Sequence, residues 1–212
     1  MSKEKLETVN EVVATGRMIW NGRNERGYPS FRLAVRDGFS DKPSVIYFTL
    51  GENLMLDPSI RYNSYIHVKG YVKAFYYLND MRQKYTAYQE FVATEVEKAD
   101  SELHMRFGTE GRYVADSLCR IYVLGEVYSV AKPKEDNNHW GRITIKVNGT
   151  GRDRRPSTIP FNYYMGFYLP ELNFKKGDVV CLCASVKVRD KEVDGSNVHF
   201  ENLVVEDIAK IE

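Results

Sequence analysis

Apolar and polar residues alternate along most of this 212-residue chain, and a period of two is typical of β-strands. In the first half the alternation marks five candidate strands, at residues 9–20, 30–36, 44–50, 65–77 and 85–95. The same order begins again in the second half, at residues 120–128, 140–148, 157–163, 179–189 and 198–208. Gly125 lies inside its strand as Gly16 lies inside the first one, and a glycine inside a strand suggests a bulge or a sharp bend, as at the corner of a small barrel. Two copies at an offset of about 110 residues predict two similar domains.

The order of these segments predicts the fold. A short helix fits residues 51–63, between the third and fourth strands, although Pro58 interrupts it. Five strands with a helix at that point is the order of the OB-fold, a small barrel. We therefore predict an all-β chain of two tandem five-stranded OB-fold barrels, each with at most a short helix between strands 3 and 4. The first is expected at residues 8–98 and the second at 117–212, with the charged residues 99–116 as a linker that has room for one helical turn.

Composition argues against several classes of protein. No apolar run approaches the ~20 residues that a membrane helix needs, and no apolar segment follows the charged N-terminus as in a secretory signal. Cys119, Cys181 and Cys183 are an odd number and are interpreted as reduced thiols of a cytoplasmic protein. No fourth ligand or histidine cluster accompanies them, so we expect no metal and no cofactor.

Sequence motifs that carry catalysis are missing as well. Residues 191–195 read Lys-Glu-Val-Asp-Gly, one residue too many for the Lys-x-Asp-Gly motif of nucleotidyl-transferring ligases. The chain has no phosphate-binding Gly-x-x-x-x-Gly-Lys loop and no Ser/His/Asp order, and its carboxylates are not clustered for magnesium. We therefore expect a protein that is not an enzyme.

The segment at residues 65–77 has two unlike faces. One face is small and apolar and fits a barrel interior: Ile66, Val68, Gly70, Val72 and Ala74. The other face is a row of cations and aromatic rings: His67, Lys69, Tyr71, Lys73, Phe75 and Tyr77. A single nucleic-acid strand would cover this row, with its phosphates on the lysines and its bases on the rings. The alternative is a second packed layer, with the lysines reaching past it to solvent.

Three stretches of the first repeat resemble a known family. Residues 9–18 read Val-Asn-Glu-Val-Val-Ala-Thr-Gly-Arg-Met, residues 30–35 read Ser-Phe-Arg-Leu-Ala-Val, and residues 66–72 read Ile-His-Val-Lys-Gly-Tyr-Val. In this order they resemble the first, second and fourth strands of bacterial single-stranded-DNA-binding proteins. In that family the fourth strand continues into basic and aromatic DNA contacts. The resemblance covers most of the first repeat and, more faintly, the second, and it implies an OB-fold that binds single-stranded DNA.

The sequence departs from that family in two ways. Cellular members carry one OB-fold, a flexible tail and an acidic tip that recruits replication enzymes, whereas this sequence has two repeats and ends after its last strand. We therefore do not expect recruitment through such a tip. The compact tandem form resembles a phage or mobile-element protein.

An OB-fold binds a strand across its barrel face, between its loops. In the first barrel this selects outward rings and cations: Arg17, Trp20, Arg32, Arg36, Tyr47, Tyr71, Lys73, Phe75, Tyr77, Lys84 and Tyr85. Tyr71 and Lys73 are the strongest candidates because the alternation fixes their face, whereas Trp20 has the alternative of a core position. The second barrel offers fewer rings and suits a partner surface or a weaker DNA site: Tyr122, Trp140, Arg142, Lys146, Arg152, Lys187 and Arg189. Arg152 belongs to a basic loop at residues 149–155, which suits phosphate or is a solvated turn.

The leading hypothesis is a non-enzymatic protein that coats and protects single-stranded DNA, without sequence preference, in replication, recombination or DNA transfer. The net charge of +1 requires that its basic groove be local. The alternatives are an OB-fold scaffold that docks replication proteins and a binder of single-stranded RNA. The expected partner is single-stranded DNA, with replication or recombination proteins as further candidates and no membrane. The aromatic residues 163–168 either cap the second barrel or form a contact between barrels or between subunits of a homo-oligomer.

Overall fold

The computed structural model describes residues 7–36, 43–79, 84–99, 105–108, 111–114, 118–133, 139–149, 155–164, 173–193 and 196–211. These residues form twelve strands: β1 (Val9–Arg23), β2 (Pro29–Arg36), β3 (Pro43–Leu50), β4 (Tyr65–Asn79), β5 (Lys84–Lys98), β6 (Met105–Gly108), β7 (Gly111–Val114), β8 (Leu118–Ala131), β9 (Trp140–Val147), β10 (Ser157–Tyr164), β11 (Val179–Val193) and β12 (Ser196–Ile211). None of the described residues is helical, and thus none lies in a helix that could span a membrane. The predicted all-β class is confirmed.

The first five strands close into a barrel, called here the N-terminal barrel (β1–β5). Their order is β1-β2-β3-β5-β4, and β4 pairs back onto β1. All neighbours are antiparallel except β3 and β5, which run parallel. Residues from all five strands fill the interior and are fully buried: Met18, Phe31, Leu33, Ile46, Ile66, Val68, Val72 and Phe91. Each such side chain stabilises the barrel by about 1.5–3 kcal/mol relative to an exposed position.

Strand β1 serves both sides of the barrel because it bends next to Gly16. It pairs with β4 as far as Arg17 and with β2 from Arg17 onward. A Cβ atom on Gly16 would lie 2.4 Å from the carbonyl oxygen of Ala34, so only glycine allows this approach. A β-bulge between Met18 and Trp20 follows the bend. The interior glycine thus marks a sharp bend, as its position in the sequence predicted.

Strands β8–β12, called here the C-terminal unit, repeat these pairings. Their order is β8-β9-β10-β12-β11, with β11 paired back onto β8 and with β10 parallel to β12. Strand β8 changes partner at Glu126, next to Gly125, where a Cβ atom would lie 2.5 Å from the carbonyl oxygen of Lys146. A bulge between Val127 and Ser129 follows. The two halves therefore share strand order, bend and bulge.

The two halves meet along β1 and β8, which pair antiparallel. Val12 pairs with Ile121, and these two residues hold equivalent positions, four residues before Gly16 and Gly125. A residue that pairs with its own counterpart lies on a two-fold axis, as in an isologous dimer interface. The chain is therefore a pseudo-symmetric pair of halves joined through their first strands.

Each half also places its long hairpin on the third strand of the other half. Three hydrogen bonds tie the β4–β5 hairpin to β10: Ala74 N to Ser157 Oγ (3.2 Å), Tyr76 Oη to the Thr158 carbonyl (2.8 Å) and Gln89 Nε2 to the Pro160 carbonyl (3.0 Å). From the other side, Glu201 of β12 accepts a hydrogen bond from the backbone N–H of Tyr47 on β3, at 3.1 Å. These contacts fix the position of each hairpin, which matters for the surface described below.

Two segments differ in detail from what the sequence suggested. Residues 51–64 connect β3 to β4 through turns, so the short helix that fits residues 51–63 is not formed, within the prediction of at most a short helix. Pro58 lacks an amide donor, and Asn53 and Asn63 have φ angles of 66° and 69°, outside the helical region. Within the expected linker, the described residues 105–108 and 111–114 pair as the β6–β7 hairpin, so they are neither loop nor helical turn. The boundaries of the two domains stay a prediction.

Candidate nucleic-acid interface

The β1–β2 connection is a loop closed by its own hydrogen bonds. The Asn24 side-chain oxygen accepts hydrogen bonds from the backbone N–H groups of Arg26 and Tyr28, both at 3.0 Å. Gly27 has a φ angle of 81°, in the region that glycine adopts most readily. Asparagine and glycine are turn residues for these reasons. The loop thereby fixes the backbone that carries Arg26.

Arg26 lies over two rings of the β4–β5 hairpin. Its guanidinium carbon is 5.9 Å from the centroid of the Phe75 ring and 5.6 Å from that of Tyr88. Phe75 and Tyr88 are cross-strand neighbours and are 37% and 50% exposed. Each cation–π contact at such a site is worth about 0.5–1 kcal/mol. We call Arg26, Phe75 and Tyr88 the loop cluster.

A second group of one cation and two rings lies on the outer face of β1, β2 and β3. Arg32 pairs across the strands with Trp20 and Tyr47, and its guanidinium carbon is 5.1 Å and 4.6 Å from their ring centroids. The neighbours of Arg32 on β2, Phe31 and Leu33, are fully buried, so Arg32 points outward. Tyr47 is 39% exposed and Trp20 is half-buried, so Trp20 is not a core tryptophan. We call Trp20, Arg32 and Tyr47 the sheet cluster.

Both clusters combine the two kinds of side chain that bind single-stranded nucleic acid. A guanidinium group can meet a phosphate, and a partly exposed ring can stack on a base. The sheet cluster lies on the β2–β3 face, and the loop cluster lies between the β1–β2 and β4–β5 loops. These are the surfaces that OB-folds use for oligonucleotides.

The predicted row along β4 is exposed only in part. His67 and Lys69 are exposed, and a 3.1 Å ion pair with Glu95 raises the pKa of Lys69 and lowers that of Glu95. Tyr71, however, is only 9% exposed. It lines a narrow cleft together with Asn148 of the C-terminal unit. The prediction of an exposed Tyr71 is wrong because the second half of the chain packs against this part of β4, which is the alternative of a packed layer.

Farther along β4, side chains on the two faces of the strand no longer differ in exposure. Lys73 is half-buried, with its Nζ 5.7 Å from the Tyr71 ring centroid. Phe75 and Tyr76 are successive residues, yet they are 37% and 46% exposed. The hairpin here has left the barrel, so neither of its faces is a barrel interior. Phe75 is thus brought into the site as expected.

Among the remaining candidates of the N-terminal barrel, only Arg17 has a described side chain, and it belongs to neither cluster. Arg17 is half-buried on β1, and its Nε is buried without a hydrogen-bond partner among the described residues. Four further side chains lie outside the described residues: Arg36, Tyr77, Lys84 and Tyr85. Their predicted contacts with DNA stay predictions.

Candidates of the C-terminal unit are spread over three strands. On β9, Trp140 is half-buried against the Tyr164 ring at 5.2 Å, and the Nε of the exposed Arg142 donates to Asn162 Oδ1 at 3.4 Å. The other described candidates are Lys146 (exposed), Tyr122 on β8 (42% exposed) and Lys187 on β11 (half-buried). Arg152 and the side chain of Arg189 lie outside the described residues.

The residues of the sheet cluster are not repeated at the equivalent positions of the C-terminal unit. The pair Met18–Leu33 corresponds to Val127–Ile145, each just before a bulge in the first strand. Counting from these pairs, the positions of Trp20, Arg32 and Tyr47 are held by Ser129, Thr144 and Pro160. None of these three residues has a ring that can stack or a cation. At these three positions the second repeat therefore lacks the rings and the cation of the sheet cluster.

Sequence reasoning missed Arg26 and Tyr88. Arg26 lies in a turn, where alternation assigns no face. Tyr88 could have been found from hairpin register, because a turn centred near residues 81–82 places residue 88 opposite residue 75, as observed.

Glu201 is a strongly perturbed acid beside this surface. Burial raises its pKa to about 8, although the hydrogen bond from the Tyr47 N–H acts in the opposite direction. Burial also raises the pKa of the Tyr88 hydroxyl, with the charges of Glu201 and Glu90 as smaller causes. The protonated, neutral form of Glu201 therefore predominates below about pH 8, and adds no negative charge beside the rings.

Within the described part of the chain, no group of three or more His, Cys, Asp or Glu side chains could hold a metal ion. All three cysteines are free thiols. Cys119 is buried, and burial raises its pKa well above the usual range, so it is unreactive as a nucleophile.

Comparison with solved structures relates this fold to a known one. The chain is similar to the wild-type single-stranded DNA binding protein from Thermus aquaticus, with a TM-score of 0.62 and 13% identity over 98% of this chain and 95% of that chain. A deletion mutant of that protein gives a TM-score of 0.59 and 12% identity over 97% and 96% of the two chains. No family model and no curated protein matches the sequence. Over nearly its whole length, the chain therefore has the fold of a single-stranded DNA binding protein.

Proposed function

We propose that this protein binds single-stranded DNA without sequence preference and performs no catalysis. The observation that carries the proposal is the pairing of cations with rings on one side of the N-terminal barrel. Arg32 lies between Trp20 and Tyr47, and Arg26 lies over Phe75 and Tyr88. The similarity of the fold to a single-stranded DNA binding protein supports the same function.

In this proposal, the strand crosses the β2–β3 face and passes between the two loops. Bases stack on Tyr47, Phe75 and Tyr88, whose rings are 37–50% exposed. Stacking tolerates every base, so binding is expected to show little sequence preference. The guanidinium groups of Arg26 and Arg32 meet phosphates, which contact DNA without reading its sequence.

We also propose that both halves are OB-fold barrels in tandem and that the protein coats single-stranded DNA in replication, recombination or DNA transfer. The repeated strand pairings support the first part. A phage or mobile element as the source stays a prediction, because the Thermus aquaticus protein shares the fold over 95% of its chain. The C-terminal unit contributes less to binding, because Ser129, Thr144 and Pro160 replace the sheet cluster.

Titration with matched oligonucleotides tests the proposal. Poly-dT, poly-U and a duplex of equal length are labelled, and binding is followed by fluorescence anisotropy. Tight binding of poly-dT with weak binding of the duplex supports the proposal. Preference for poly-U would favour an RNA-binding protein, and binding of none of the three would favour a scaffold that docks other proteins.

A further inference from the structure

A narrow cleft opens between the two halves, next to the loop cluster. One wall is β4 of the N-terminal barrel, with Tyr71, Lys73 and Phe75. The other wall is formed by residues 148–149 and 155–157 of the C-terminal unit. Its volume is about 200 Å³, below the ~300 Å³ at which pockets for drug-sized ligands begin. The cleft thus has room for one small flat group rather than for a drug-sized ligand.

The charges and surfaces of this cleft favour one kind of ligand. Lys73 and Arg155 are cationic, and none of the described lining residues has a carboxylate. The rest of the lining is largely apolar or aromatic, including Tyr71, Ala74 and Phe75. A cation pair beside an apolar, ring-bearing wall suits a nucleotide, which joins an anionic phosphate to a flat base.

Hydrogen bonds hold the walls of the cleft in place before any ligand binds. Asn10 Nδ2 donates to the Val72 carbonyl at 2.8 Å, and Asn10 Oδ1 accepts from the Val72 N–H at 3.1 Å. These two hydrogen bonds fix the backbone of β4 where it lines the cleft. Ala74 N–H donates to Ser157 Oγ at 3.2 Å and ties the two walls together. A preformed cleft loses less entropy on binding than one that must close.

The cleft also continues the candidate DNA surface. Phe75 belongs to the loop cluster, through Arg26, and lines the cleft as well. A strand that stacks on Phe75 can therefore run on into the cleft and reach the C-terminal unit.

We propose that this cleft is a nucleotide subsite through which single-stranded DNA passes from the N-terminal barrel to the C-terminal unit. Lys73 and Arg155 contact the phosphate, and the base lies against the apolar wall. The inference rests on the proposed function and adds to it a site between the halves, with Arg155 as its cation from the C-terminal unit.

Binding as a function of oligonucleotide length tests the subsite. An OB-fold covers about 4–16 nucleotides, so an oligomer of about 8 thymidines fits one half and one of about 32 spans both. Arg155→Gln and Arg155→Glu are compared with wild type on both lengths, with Arg155→Lys as the variant that keeps the charge. Lys176→Glu is the matched control, because Lys176 is an exposed cation of the C-terminal unit outside the cleft.

The subsite predicts a loss that depends on length. Arg155→Glu should weaken binding of the long oligomer by about tenfold and lower its salt slope by about 0.7, with little change for the short one. Arg155→Lys and Lys176→Glu should bind both lengths as wild type does. Wild-type affinity of Arg155→Glu for the long oligomer, or equal losses on both lengths, would overturn the subsite. Failure of the wild-type protein to bind either oligomer would instead overturn the proposed function.

Discussion

Tyr47 offers the sharpest test of stacking on the sheet cluster. Arg32 already covers one face of its ring, at 4.6 Å, and the side chain is 39% exposed, so the ring has room to stack on one base. Stacking of one base is worth about 1–3 kcal/mol. Because Trp20 and Arg32 remain, we expect Tyr47→Leu to lose about 1–2 kcal/mol, which is about 5- to 30-fold in Kd.

The same substitution should cost little stability. Leucine keeps the apolar bulk next to the barrel, and the cation–π interaction with Arg32 that the substitution removes is worth about 0.5–1 kcal/mol. That is a fall in Tm of about 1–4 °C for a domain of this size. The assay pairs a thermal melt with anisotropy on labelled poly-dT.

Tyr128→Leu is the matched control for Tyr47→Leu. Tyr128 is 50% exposed and has the Nζ of Lys176 at 5.3 Å over its ring, but it belongs to neither cluster. It should melt like Tyr47→Leu and bind like wild type. Wild-type affinity of folded Tyr47→Leu for poly-dT would refute stacking on this ring.

Three further predictions address packing, charge and pH. Tyr71→Ala should lower the free energy of unfolding by about 3–5 kcal/mol, because Tyr71 is only 9% exposed. Tyr122 is 42% exposed, so Tyr122→Ala should lower it much less. Similar urea midpoints for the two variants would contradict the burial of Tyr71. Affinity for poly-dT should fall with salt at a log–log slope of about −0.7 per phosphate neutralised, and Arg32→Gln should make the slope shallower by about 0.7; an unchanged slope would remove Arg32 from the DNA path. Glu201 accepts a hydrogen bond from the Tyr47 N–H and interacts electrostatically with Tyr88 and Cys119. Its pKa is about 8 in the folded protein, against 4.5 in the unfolded chain. Its contribution to stability is therefore complete below pH 4.5 and is lost as pH rises through 8. Urea unfolding should therefore show wild type losing stability between about pH 4.5 and pH 8 and Glu201→Gln losing less, and parallel pH profiles would argue against the raised pKa of Glu201.

The strands could be predicted because alternation is a local signal. Residues 66, 68, 70 and 72 of β4 are buried as their period of two requires. The bend at Gly16 and its repetition at Gly125 were also visible, since an interior glycine in a strand has few other uses.

The site was harder to predict because its contacts are long-range. The burial of Tyr71 depends on residues near position 148, which alternation along β4 cannot reveal. Arg26 lies in the β1–β2 loop, and the two rings that it contacts, Phe75 and Tyr88, lie on β4 and β5. The arrangement of Arg32 between Trp20 and Tyr47 needed the register of β1, β2 and β3, which a bulge shifts by one residue at Trp20.

Photo-crosslinking tests most directly whether single-stranded DNA crosses the N-terminal barrel over the two clusters. Poly-dT with 5-iodouracil substitutions is irradiated in complex with the protein, and crosslinked peptides are mapped by mass spectrometry. The account predicts crosslinks at Trp20, Tyr47, Phe75 and Tyr88, the four rings of the two clusters. Crosslinks confined to rings of the C-terminal unit such as Trp140 and Tyr164 would contradict it.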